Sequence, residues 1–142
     1  MRRVKIVTIE LVKDSPDLSN GITRPDDVAT LLEDIRHADR EHFVCLHLNA
    51  RNQVNCIETV SIGSLNASLV HPREVFKAAI LNNTASVIIA HNHPSNDTTP
   101  SREDIELTHR LVQAGEIMGI EILDHIIVSP DHFLSLKEAN LF

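Results

Sequence analysis

The chain has 142 residues, of which 42% are hydrophobic and 23% charged, as is ordinary for one folded domain with a buried core. Its net charge of −7 and its lack of Trp and Tyr disfavour nucleic acid, because phosphate contacts need basic residues and single-strand platforms need aromatic ones. No apolar run reaches the ~20 residues of a membrane span, and the start MRRVKIVTIELVKDS lacks the apolar core of a signal peptide.

The first 40 residues predict one strand and one helix. The strand is expected at Val4–Val12, where apolar and polar residues alternate before a run of turn residues. The helix is expected over Arg24–Ala38, where Pro25 suits the first turn and the apolar residues recur at helical spacing.

Further along, EHFVCLHLN and QVNCIETVSI predict a β-hairpin around the turn NARN. A helix is expected from Pro72 to Leu81, and ASVIIA, which is apolar on both faces, predicts a buried central strand. The segment Ser101–Met118 predicts a long helix that ends before Gly119. The strands IEILDHIIVS and HFLSL follow, so we expect a single α/β domain over residues 1–142, with a mixed β-sheet flanked by helices.

Two histidines stand one residue apart where the central strand ends. Residues two apart in a strand point to the same side, so His91 and His93 can present two imidazoles together. Asp104, in the first turn of the next helix, can supply a third ligand, and such a set suits Zn²⁺. Alternatively, Ser101 and Asp104 form a helix-capping pair and the histidines are only hydrogen-bonded.

The segment HNHPSNDTTPSRED matches the His-x-His-x7-Ser-x-x-Asp signature of the JAMM (MPN-plus) zinc metalloproteases, and most resembles their RadC-like branch. GSLNASLVHPREVFKAAI and GIEILDHIIVS also resemble RadC segments, so the similarity covers residues 41–136. It implies a JAB/MPN fold with cytidine-deaminase-like architecture. Two departures are Asn96 in place of the usual Gly, and a strand and helix over residues 1–40 in place of a helix-hairpin-helix module.

The resemblance implies one Zn²⁺ per chain, bound by His91, His93 and Asp104. It also implies a catalytic glutamate before a strand, for which Glu41 fits best and Glu58 and Glu74 less well. Ser101 is then a hydrogen-bond donor to the reacting carbonyl oxygen. The implied substrate is a peptide or protein whose peptide or isopeptide bond is cleaved, and we expect residues 63–71 to form one wall of its groove.

Other readings remain open on the sequence alone. A metal-dependent phosphodiesterase or nuclease is conceivable, as is a non-catalytic JAB-fold binding module. His125, in ILDHIIV, is either a residue that supports the site or an ordinary strand residue. Cys45 and Cys56 form no CxxC motif, so we expect core packing, reduced thiols and a cytoplasmic protein. The sequence does not reveal the oligomeric state.

Overall fold

A computed structural model describes residues 21–63 and 70–142. The helices of this part of the chain are α1 (Pro25–Leu31), α2 (Glu33–Arg36), α3 (Pro72–Leu81) and α4 (Arg102–Met118). Its strands are β1 (His42–Leu48), β2 (Val54–Ile62), β3 (Ser86–Asn92), β4 (Glu121–Val128) and β5 (Phe133–Ser135). None of the described helices is long and apolar enough to cross a membrane.

The strands form one mixed sheet in the order β2-β1-β3-β4-β5. Only β3 and β4 are parallel neighbours; β1 pairs antiparallel with both β2 and β3, and β5 pairs antiparallel with β4. The expected α/β domain with a mixed sheet and flanking helices is therefore confirmed.

The central strands of the sheet are buried on both faces. One core cluster joins α3 and α4 to the side of β1 that carries Phe43 and Cys45. The other joins α1 to the opposite side of β1, which carries Val44 and Leu46. Successive side chains of β1 thus enter different clusters, and both of its faces are apolar because helices cover both sides of the sheet.

The helix expected over Arg24–Ala38 is divided at Leu32, where ψ is 22° and the side chain is only 2% exposed. The piece before this break contacts β4 and β5, whereas the piece after it contacts β3. The break therefore lets one apolar segment follow different strands. The strand expected at Val4–Val12 lies outside the described residues.

The connection from β3 through α4 to β4 positions the candidate site. All of β3 is buried, and α4 runs back along the sheet from a point near the carboxyl end of β3. α4 ends as expected at Gly119, whose φ of 71° suits a glycine C-cap. The end of β3 and the start of α4 are thereby brought together.

Candidate metal centre

His91 and His93 lie at the carboxyl end of β3. His91 is fully buried on the α4 side of the sheet, where its ring stacks on Phe43 with centroids 6.2 Å apart. The backbone N–H of His93 donates to the carbonyl of Val128 on β4 at 2.8 Å, which holds the chain in place just past the strand. Both imidazoles consequently face the start of α4.

Asp104 occupies the third position of α4, and Ser101 is its N-cap. The N–H of Asp104 donates to Oγ of Ser101 at 3.1 Å, and the N–H of Ser101 donates to Oδ2 of Asp104 at 2.8 Å. This reciprocal pair is a capping box, so the capping interpretation of the Ser-x-x-Asp pattern holds. It also holds the Asp104 carboxylate, which is 5% exposed, toward the two imidazoles.

The three side chains converge on one point. Nε2 of His91 lies 2.9 Å from Nε2 of His93 and 3.4 Å from Oδ1 of Asp104. Nε2 of His93 lies 3.5 Å from Oδ2 of Asp104. Ligands placed tetrahedrally about 2.0–2.1 Å from a zinc ion lie about 3.3–3.4 Å from one another. The spacing of these atoms therefore suits a small tetrahedral cation with one further position open.

The protonation of the cluster also favours a cation at its centre. Nδ1 of His93 lies 2.7 Å from the carbonyl oxygen of Asp97, which can only accept, so this nitrogen donates and Nε2 of a neutral His93 carries a lone pair. A hydrogen bond to Asp104 raises the pKa of His93, although burial opposes the rise. Burial disfavours the charge of Asp104, but its interactions with the adjacent imidazoles of His91 and His93 hold its pKa well below its ordinary value. A metal ion or a proton between these atoms offsets the lone pairs of the imidazoles and the negative charge of Asp104.

Glu41 lies directly before β1 and shares a cleft with these groups. The cleft has a volume of about 370 Å³, and its lining includes Glu41, His93, Ser101 and Asp104. The position of Glu41 is set from β3, because Asn92 accepts from the N–H of His42 at 2.6 Å and donates to the carbonyl of Arg40 at 2.9 Å. The side chain of Asn92 points toward this backbone, away from the two histidines.

The cleft is acidic. Asp97 and Glu103 line it together with Glu41 and Asp104, and none of its described lining residues is Lys or Arg. Hydrogen bonds from Thr99 hold the pKa of Asp97 below its ordinary value, so its charge persists at neutral pH. The cleft therefore repels anions unless a cation offsets these carboxylates.

Asn96, the departure from the RadC pattern, has a φ of 66°. Asparagine tolerates this conformation better than other non-glycine residues. Its side chain donates to Oδ2 of Asp131 at 2.9 Å, and its Oδ1 accepts from the N–H of Asp131 at 3.1 Å. The loop that joins His93 to α4 is thereby tied to the β4–β5 connection.

The structure places the remaining candidates as follows. His125 lies against His91, with 2.8 Å between its Nε2 and Nδ1 of His91. Glu58 is beside His47, and neither it nor Glu74 is among the residues lining the cleft. For the groove wall expected at residues 63–71, positions 64–69 lie outside the described residues.

Sequence reasoning missed Thr108. Its hydroxyl lies 2.6 Å from Nδ1 of His125 and donates to the carbonyl of Asp104 at 2.6 Å. The only available signal was its position four residues after Asp104, on the same face of α4.

Known proteins are similar to most of this chain. A family model described as the RadC-like JAB domain matches residues 22–141. A UPF0758 protein of Desulforamulus reducens is 60% identical over 118 residues, which cover 82% of this chain and 52% of that protein. One from Caldanaerobacter subterraneus is 55% identical over 123 residues, covering 86% of this chain and 53% of that protein. The chain thus spans about half the length of the curated relatives it matches.

Proposed function

The chain belongs to the family of RadC-like JAB domains, and from this membership and its candidate metal centre we propose that it is a zinc-dependent hydrolase of amide bonds. Its substrate is then a peptide or protein, cut at a peptide or isopeptide bond. We propose one Zn²⁺ per chain, held by His91, His93 and Asp104.

One observation carries the proposal. Two imidazole nitrogens from the end of β3 and a carboxylate from α4 meet, with spacing that suits zinc, at a cleft that also contains Glu41 and Ser101. Buried polar atoms that converge without a common ligand are costly, because lone pairs and negative charge then face one another. A site of this composition, with three protein ligands and an open fourth position, is typical of catalytic zinc.

The chain's own residues supply the remaining chemistry. Held by His91, His93 and Asp104, a zinc ion would supply a Lewis acid for the amide carbonyl and would lower the pKa of bound water toward about 7. Glu41 accepts a proton from the attacking water and delivers it to the leaving amine. The oxygen of Ser101 accepts the capping bond from Asp104, which leaves its hydroxyl hydrogen available to donate to the developing oxyanion.

The charge of the cleft supports an amide substrate over a phosphodiester. A phosphodiester brings a negative charge into a cleft lined by Glu41, Asp97, Glu103 and Asp104. A zinc ion offsets two of these four charges, so the cleft stays negative. The phosphodiesterase alternative is favoured only if such activity survives Glu41→Gln and no amide cleavage is observed.

A non-catalytic binding module is the other alternative. The three possible ligands lie together, and Glu41 and Ser101 line the same cleft as His93 and Asp104. This argues against a binding module, because binding alone does not require a complete hydrolytic set. His93→Ala with an unchanged cellular role would favour the binding module.

We also propose a cytoplasmic location. Cys45 and Cys56 are both free, which suits a reducing compartment.

Elemental analysis tests the metal centre. The protein is purified without a histidine tag and compared with His91→Ala, Asp104→Ala and His109→Ala, the last of which removes an exposed histidine of α4. We expect about one zinc per chain in the wild type and in His109→Ala, and none in the other two. A wild type that binds no zinc, even after incubation with zinc, contradicts the proposal.

Activity is then tested with peptide and isopeptide libraries on the zinc-loaded protein and on Glu41→Gln. We expect cleavage by the wild type, and a loss of about 10²–10⁴-fold in Glu41→Gln with zinc content unchanged. Equal cleavage by the two proteins would exclude Glu41 as the general base.

A further inference from the structure

His125 lies behind the candidate metal centre. Its side chain is fully buried on β4, and it is absent from the residues that line the cleft. Its ring nevertheless contacts His91 through Nε2 and Thr108 through Nδ1. It therefore joins a ligand residue on β3 to α4, the helix that carries Asp104.

Asp104, Thr108, His125 and His91 form a hydrogen-bond chain. The direction of each bond in it follows from the carbonyl of Asp104 at one end. The carbonyl of Asp104 can only accept, so the single hydrogen of the Thr108 hydroxyl is used there. The same oxygen must then accept from Nδ1 of His125, 2.6 Å away. A neutral His125 with its hydrogen on Nδ1 has a lone pair on Nε2.

That lone pair determines the state of His91. Nδ1 of His91, at 2.8 Å, must donate to Nε2 of His125, which leaves the lone pair of His91 on Nε2. A doubly protonated His125 would reverse this bond, but it would place a full charge in the buried core. Nε2 of His91 is the atom that faces His93 and Asp104.

Packing restricts the two rings as well. Phe43 stacks on His91 with an interplanar angle of 18° and meets His125 edge-on at 75°. Neither imidazole can exchange its two nitrogens by rotation without displacing this buried phenylalanine. The orientation of the rings is thus set by packing and the position of the protons by Thr108.

We propose that Thr108 and His125 are positioning residues that hold the hydrogen of His91 on Nδ1, so that the lone pair of Nε2 faces the proposed metal. The inference rests on the proposed function, since it assigns these residues to the same zinc site. Hydrogen-bonding partners of a histidine ligand commonly change metal affinity by about 10–100-fold.

Two substitutions of Thr108 test this hydrogen-bond chain. Thr108→Val keeps nearly the same shape but removes the hydroxyl. His125 is then free to carry its hydrogen on Nε2 and to donate it to Nδ1 of His91. The hydrogen of His91 would in that case move to Nε2. Thr108→Ser is the matched control, because its hydroxyl can make both bonds. Zinc affinity is measured by competition with a chelator, and circular dichroism checks the fold. We expect Thr108→Val to weaken zinc affinity about 10–100-fold and Thr108→Ser to change it less than about threefold.

Equal zinc affinities of Thr108→Val and Thr108→Ser would overturn the proposal. A second measurement needs neither zinc nor a variant: nitrogen-15 NMR of the wild-type histidines after metal removal, at about pH 9, where neutral imidazoles dominate. We expect the hydrogen of His91 on Nδ1, and finding it on Nε2 overturns the proposal. If the wild type binds no zinc, the proposed function fails, and the NMR result still decides the hydrogen-bond chain.

Discussion

The side-chain oxygen of Asn92 accepts a hydrogen bond of 2.6 Å from the backbone N–H of His42. The amide of the same side chain donates to the carbonyl of Arg40 at 2.9 Å. Asn92 therefore bonds the backbone on both sides of Glu41 while its own neighbours in sequence, His91 and His93, face the metal centre. The residue between two proposed ligands sets the position of the proposed general base.

We expect Asn92→Ala to impair cleavage without removing zinc. Truncation leaves the N–H of His42 and the carbonyl of Arg40 unpaired, at a cost of about 1–3 kcal/mol in the free energy of unfolding. A shift of Glu41 by ~1 Å would lower kcat about 10²-fold. Urea unfolding, zinc analysis and peptide cleavage measure these effects, with the exposed Asn55→Ala on β2 as control. Unchanged kcat in a zinc-loaded Asn92→Ala protein would show that Asn92 does not position Glu41.

The two roles of Asp104 are separable. Asp104→Asn keeps an oxygen that can accept from the N–H of Ser101 but loses the charge, whereas Asp104→Ala loses both. We expect zinc to be lost in both variants, and the metal-free Ala protein to be about 1 kcal/mol less stable than the Asn protein. Zinc analysis and thermal unfolding provide the readouts, and Glu103→Ala, in the same turn, is the control. Full zinc content in Asp104→Asn would leave only the capping role.

The loop between His93 and α4 depends on the backbone conformation of Asn96. Asn96→Gly retains the positive φ and loses only the bonds to Asp131, whereas Asn96→Ala also forces an alanine into the left-handed region, which costs about 1–2 kcal/mol. We therefore expect stability to fall from Asn to Gly to Ala in urea unfolding. Asn83, with a φ of 51°, offers a comparison away from this loop. An alanine variant as stable as the glycine variant would contradict this account.

His47, away from the metal centre, predicts a loss of stability in acid. Burial lowers its pKa below the ordinary value of 6.5. Below about pH 6.5 the unfolded chain binds a proton at this position that the folded chain does not, so stability present above that pH is lost as pH falls, by up to ~1.4 kcal/mol per pH unit. The loss ends once the folded residue also becomes protonated.

The measurement is the free energy of unfolding of the wild type and of His47→Gln from about pH 7 to pH 5. We expect a shallower decline in the variant. Glu58→Gln is included because the carboxylate of Glu58 lies 3.4 Å from Nε2 of His47. Identical slopes in wild type and His47→Gln would show that His47 titrates alike in both states.

Much of the fold and of the metal centre was predictable because the signals are local. Strand alternation places His91 and His93 on the same side of one strand end, and the Ser-x-x-Asp pattern of Ser101 and Asp104 is a local signal for the start of a helix. The β-hairpin and α4 likewise follow from apolar periodicity and turn residues. The break at Leu32 was not predictable, because it depends on which strands each half of that segment contacts.

By itself the sequence determined which residues can bind a metal and which elements carry them, since i, i+2 and i, i+3 spacings translate directly into strand and helix geometry. Only the tertiary structure decided that Glu41 shares their cleft, because that depends on β1 pairing with β3 and on the bonds from Asn92 across 50 residues. It also decided the place of His125 behind His91, through the parallel pairing of β3 with β4. Contacts between residues distant in sequence form only when the sheet is assembled, and no local pattern encodes them.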